Sequence, residues 1–83
     1  MFKAIIYVTL KEGVLDPQGE AVKKSLHVLN YEGVDEVRIG KFIEVWLKSQ
    51  DEETARRELE DMSDKLLANP VIEDYRVELM EVV

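Results

Sequence analysis

His27 is the one side chain in this 83-residue sequence with a metal-binding or proton-shuttling nitrogen near neutral pH, and there is no cysteine beside it. A metal site at His27 would need further nitrogen or sulfur ligands, or carboxylates converging on one point. The nearest acids show no recognised ligand spacing, so His27 reads as a helix-surface or half-buried residue. Nucleophilic catalysis would need a serine poised by a base, and nothing around Ser25, Ser49 or Ser63 marks such a pair. The densest acidic group comprises Asp51, Glu52, Glu53, Glu58, Glu60, Asp61 and Asp64. Its first members fit the positive end of a helix dipole, and Arg56 and Arg57 fall at helical pairing distance from Glu52, Glu53 and Glu60. That pattern describes a solvated helix face.

Phosphate cradles need glycine-rich backbone at a helix start. Gly13 and Gly19 flank Asp16-Pro17, but their spacing matches neither a Walker loop nor a dinucleotide fingerprint. An acylphosphatase-like site would require an arginine in the loop after the first strand. Here residues 11–19 carry two acids and no arginine, so like-charge repulsion opposes an anionic substrate. Arg38-Ile39-Gly40-Lys41 remains, with two cations flanking a turn. It fits an anion, the acidic surface of a partner, or plain solvent-exposed charge.

These residues must be placed by a small number of elements. Residues 2–10 alternate as a strand, with Phe2, Ala4, Ile6, Val8 and Leu10 on one face. Asp16 as N-cap and Pro17 at the first helical position start a helix whose stripe is Val22, Leu26 and Leu29. Asn30 and Gly33 suit the geometry that ends it. Residues 34–39 and 42–48 read as two strands joined by a tight Gly40-Lys41 hairpin. A second helix follows, capped by a Ser49–Glu52 box or by Asp51, with Ala55, Leu59, Met62 and Leu66 on one stripe. Asn69-Pro70 stops it, and Tyr75, Val77 and Leu79 alternate in a last strand. The order β-α-β-β-α-β predicts a single α+β domain over residues 1–83, a ferredoxin-like sandwich with two helices on one face of an antiparallel sheet.

The sheet face away from those helices is also apolar. Ile5 and Tyr7 lie opposite the core side of the first strand, and Phe42 and Trp46 join them if Ile43, Val45 and Leu47 point inward. Met80 adds to the group. A patch of this kind marks an interface, and Ile5, Tyr7, Phe42 and Trp46 are the candidates for self-association through the sheet. The competing reading is shielding by Lys3, Glu44 and Lys48 in a monomer.

Size and charge narrow the classes further. A chain of this length buries only about 60–65% of its unfolded surface, and without cysteine it has no disulfide to compensate. Oligomerisation follows as an expectation. The formal charge of −7, with 11 basic and 18 acidic residues, repels phosphate backbones, which argues against nucleic acid as a partner. No apolar run approaches the ~20 residues of a membrane span, and the first residues lack the features of a signal peptide. The expected location is the cytoplasm. From the residues alone, the chain is a small α+β domain expected to oligomerise and expected to lack catalysis. A ligand-sensing regulatory domain of similar topology stays open as the alternative.

Three blocks of sequence add a resemblance. Val8-Thr9-Leu10-Lys11 with Gly13-Val14-Leu15-Asp16-Pro17-Gln18-Gly19 resembles the opening of the PurS family. Val37-Arg38-Ile39-Gly40-Lys41 with Glu44 resembles its central hairpin. Leu66-Leu67-Ala68-Asn69-Pro70-Val71-Ile72-Glu73-Asp74-Tyr75 resembles its C-terminal segment. Asn30-Tyr31 departs from a common glycine and phenylalanine, and Ser63 from a common cysteine. The resemblance implies a non-catalytic subunit of the formylglycinamide ribonucleotide amidotransferase of purine synthesis. It implies a homo-oligomer that bridges a glutaminase subunit and a large synthetase subunit and assists ammonia transfer. ATP and magnesium would serve the synthetase, and this chain would hold no cofactor or metal of its own. Partner contacts are then expected at Asp16, Pro17, Gln18 and Gly19 and at Arg38 and Lys41. Helix capping is the competing account of the first set.

Overall fold

The computed structural model describes residues 1–82. Its elements are β1 (Phe2–Leu10), α1 (Pro17–Val28), β2 (Gly40–Leu47), α2 (Glu52–Met62), a π-helical turn (Ser63–Leu67) and β3 (Glu73–Glu81). The three strands form one antiparallel sheet in the order β2-β1-β3. The α+β class, the antiparallel sheet and the two helices agree with the ferredoxin-like expectation.

The alternation in β1 sets the core. Phe2, Ala4, Ile6 and Val8 are buried, with Ala4 and Ile6 wholly inaccessible. In register with them, Val45 and Ile43 on β2 and Leu79 and Val77 on β3 extend the same face sideways. The helix α2 packs on β3 and β1, where it buries Ala55 and Leu59. Its N-cap is Asp51, whose carboxylate accepts from Thr54 N at 2.7 Å. The Ser49–Glu52 box does not form, because Ser49 Oγ donates to the Asp51 carbonyl instead.

The stripe on α2 also shifts. After Met62 the chain winds one turn of π-helix, closed by Ala68 N donating to Ser63 O at 2.9 Å. The extra residue in that turn rotates the buried face by one position. Leu67, rather than the expected Leu66, packs on the core, and Leu66 is 82% exposed. Ser63 is fully buried, and its hydroxyl donates to Leu59 O at 2.8 Å. The helical run ends before Asn69-Pro70, as proline geometry requires.

Two features depart from the expected sandwich. Residues 34–39 form no strand, and Gly40 and Lys41 belong to β2 rather than to a hairpin turn. The cause lies in α1, along which the segment runs back. Ile39 N donates to Asp16 Oδ2 at 2.8 Å, and Val34 O accepts from His27 Nε2 at 2.8 Å. Val37 O lies so close to Gly19 that a Cβ there would collide with it. Backbone groups that a strand ladder would use are held by the helix. The second departure is α1 itself, which has no packing against any strand comparable to that of α2. Gly19 is its one buried residue, while Val22, Val28 and Leu29 of its stripe and flank are exposed. The molecule is accordingly long and thin, 51 × 29 × 14 Å.

Candidate partner-docking site

Asp16 ties together the junction between β1, α1 and β2. Its Oδ1 accepts from Gly19 N at 2.9 Å, which caps α1, and its Oδ2 accepts from Ile39 N, which fixes the returning chain. The backbone hydrogen bond from Ile39, then that from Gly19, hold its carboxyl below the usual aspartate value, with the nearby Arg38 guanidinium assisting. Pro17 supplies the first helical residue, where its missing N–H costs nothing. At the far end of α1, Asn30 takes φ 75° and the chain closes with Asn30 N to His27 O and Tyr31 N to Leu26 O. Asparagine is among the side chains that best tolerate left-handed backbone.

Beside this junction lies a cleft of about 280 Å³, lined by Leu10, Asp16, Pro17, Gln18, Ile39, Gly40, Lys41 and Glu73. Five of the six residues expected to meet a partner are therefore adjacent to one cavity: Asp16, Pro17, Gln18 and Lys41 line it, and Gly19 sits in the turn behind it. Lys41 is the more exposed of the two cations beside the junction. Its side chain is half exposed, with Nζ 3.2 Å from Leu67 O at the end of the second helical run and 3.8 Å from Glu73 Oε1.

Arg38 makes contacts within the chain. Its Nη2 donates to Leu10 O at 2.7 Å and to Lys11 O at 3.2 Å, and its Nε lies 3.9 Å from Asp16 Oδ2. The guanidinium latches the end of β1 to the returning chain. Glu73 belongs to the cleft and was not singled out from the sequence, although it lies inside the third resembling block. Its carboxylate accepts from Asn69 N at 2.7 Å, which ties the Asn69-Pro70 turn to the cleft wall. His27, bonded to Val34 O, serves the fold.

The outer sheet face holds the other four expected residues together. Tyr7 and Phe42 are cross-strand partners with ring centroids 5.6 Å apart in an edge-to-face arrangement. Lys3 Nζ stands 5.2 Å from the Trp46 ring, and the Arg76 guanidinium 4.3 Å from the Tyr7 ring. Ile5 and Tyr7 are half-buried, whereas Phe42 and Trp46 are 59% and 58% exposed. Lys3 pairs with Glu44 at 2.8 Å, so cations and acids fringe the aromatic groups without covering them. Among the described residues, no group of three or more His, Cys, Asp or Glu is arranged to hold a metal ion. The junction cleft and the aromatic outer face are surfaces for contact.

A family model described as PurS, phosphoribosylformylglycinamidine (FGAM) synthase, matches residues 3–81. The chain belongs to the PurS family. The PurS subunit of phosphoribosylformylglycinamidine synthase from Bacillus subtilis (strain 168) is 51% identical over 83 residues, covering 100% of this chain and 98% of that protein. The structure of Bacillus subtilis PurS in a C2 crystal form superposes with a TM-score of 0.89 at 49% identity, covering 98% of this chain and all of that one. A chain in the structure of PurLQS from Thermotoga maritima does so with a TM-score of 0.86 at 32% identity, over 95% of this chain and 96% of that one. For a PurS-family chain, the Asp16-Pro17-Gln18-Gly19 sequence is thus a structural junction first, with a cleft beside it.

Proposed function

We infer that this chain is a non-catalytic assembly subunit of phosphoribosylformylglycinamidine synthase, acting in the cytoplasm between a glutaminase and a large synthetase subunit. The observation that carries this reading is the full-length likeness to the PurS family, including a relative solved within PurLQS. Ammonia passed between subunits must be kept from bulk water and proton donors, and packed surfaces do this without a catalytic side chain. The ATP and magnesium of the reaction belong to the synthetase. The Asp16–Lys41 cleft, with a hydrogen-bonded junction at its base and one half-exposed cation, serves as the docking point for a subunit partner. The aromatic outer face serves as a self-association surface.

Reconstitution with the synthetase and glutaminase from the same source tests the role. Omitting this chain should abolish glutamine-dependent turnover and leave ammonia-dependent turnover in place. Equal glutamine-dependent turnover with and without the chain would refute the bridging role. Lys41→Glu should weaken co-elution with the complex while the isolated chain keeps its helix content. Unchanged co-elution would remove the cleft from the interface.

A further inference from the structure

Leu66 and Leu67 are identical side chains at neighbouring positions, yet Leu67 packs on the core and Leu66 is 82% exposed. A continuous α-helix would reverse them. Leu66 follows Leu59 by seven residues and Met62 by four, so α spacing places it on their stripe. The π turn instead brings Leu67 to that place, because it holds one extra residue. Apolar burial hardly separates the two windings, since a leucine fills the same site in either. Ala68, buried after the π turn, adds only one small side chain. The hydrogen bonds around the turn must decide between them.

Those bonds reach beyond the helix. Ser63 O accepts from Ala68 N in the π turn, whereas an α turn would pair it with Leu67 N. Leu67 O is one of the carbonyls that a helix end leaves without an intrahelical partner, and it accepts from Lys41 Nζ at 3.2 Å. Lys41 belongs to β2 and lines the junction cleft, with its Nζ also 3.8 Å from Glu73 Oε1. Glu73, at the start of β3, accepts in turn from Asn69 N at 2.7 Å. The two strands thus hold Leu67 and Asn69 in place while Leu59 anchors α2 in the core. The residues between have to wind to fit that span.

We propose that Ser63–Leu67 is a two-register element kept in its π winding by Lys41, and that withdrawing Lys41 from Leu67 O lets the turn rewind as α-helix with Leu66 in the core. The element couples the cleft to the core. A partner carboxylate that takes Lys41 removes a contact made in one winding only, which is the condition for shifting such an equilibrium. That consequence rests on the docking role of the cleft; the register itself is a property of the isolated chain.

A double-mutant cycle in urea on the full-length chain tests the register. Leu66→Ala should leave the unfolding midpoint near that of the wild type. Leu67→Ala should lower it modestly, because Leu66 takes the vacated place. The double variant should lose clearly more than the two single losses together. Additive losses would overturn the proposal. Nuclear magnetic resonance of Lys41→Ala reads the winding directly, at a half-exposed side chain. Contacts with the core methyls should pass from Leu67 to Leu66, and the Ala68 amide should lose its protection from exchange. A Lys41→Ala protein that keeps Leu67 alone on the core would equally overturn the proposal. Co-elution of Lys41→Glu with the complex reports the docking role separately, so either reading can fail without the other.

Discussion

Leu59 on α2 is fully buried, whereas Leu29 at the C-cap of α1 is 64% exposed, although each sits in an apolar stripe of the same helical spacing. The two helices differ in what lies at their ends. After α2 the chain runs through a π turn and the Asn69-Pro70 stop directly into β3, which draws the helix onto the sheet. Around α1 the two flanking segments are bound to the helix itself: Asp16 clamps Ile39, Gly19 admits Val37, and His27 holds Val34. The returning chain thus forms a small lobe with α1. Amphipathic spacing says that a helix will bury one face, and the connecting segments decide against what.

That contrast can be broken most strongly at Leu59. Leu59→Ala removes a wholly buried side chain among Ala4, Ile6 and Val8 and should cost about 2–5 kcal/mol in urea unfolding. A loss as small as that of an exposed leucine would mean that α2 is not the anchored helix.

The lobe should answer next at Gly19. Alanine there gains about 1 kcal/mol of helix propensity, but its Cβ would meet the Val37 carbonyl and stand 2.8 Å from Asp16 Oδ2. A net loss of about 1–2 kcal/mol is expected in the same unfolding measurement. A stabilised Gly19→Ala protein would show that the returning segment yields easily.

The smallest effect is the pH dependence of the Asp16 clamp. Hydrogen bonds from Ile39 and Gly19 lower the folded-state carboxyl below its unfolded value. Its contribution is therefore complete above the ordinary aspartate range and is lost as pH falls through the lower folded-state value. Asp16→Asn should be less stable than the wild type at neutral pH, and the difference should shrink on acidification. Part of the acid sensitivity will remain in the variant, because Asp51 is held down in the same way by the Thr54 backbone N–H. A difference that is constant from neutral pH to strong acid would mean that Asp16 acts through shape alone.

Much of the fold was legible because the signals are local. The alternation of β1, the Asp16-Pro17 start, the Asn30 stop and the Asn69-Pro70 break each arise from one residue's own backbone preferences. The residues around the cleft were legible only as motif blocks. That Asp16, Gln18 and Lys41 surround one cleft, with Glu73 joining from a distant strand, depends on pairing across the sheet. The one-residue shift from Leu66 to Leu67 was not legible, since a π turn follows from how the helix end meets the core rather than from the composition of that turn.

The sequence by itself determined three of the strands, both helices, the capped start of α1, and the family to which three ordered blocks belong. The tertiary structure decided the destination of residues 34–39. Their composition permits a strand, but Asp16 accepts from Ile39 N and His27 donates to Val34 O, which holds the segment against the helix instead. It also decided that Arg38 fastens carbonyls at the end of β1 while Lys41 stays half free, a division invisible in a linear pair of cations. For the same reason α1 and β2 each keep an apolar face uncovered, a surface that spacing alone had assigned to the core of one chain.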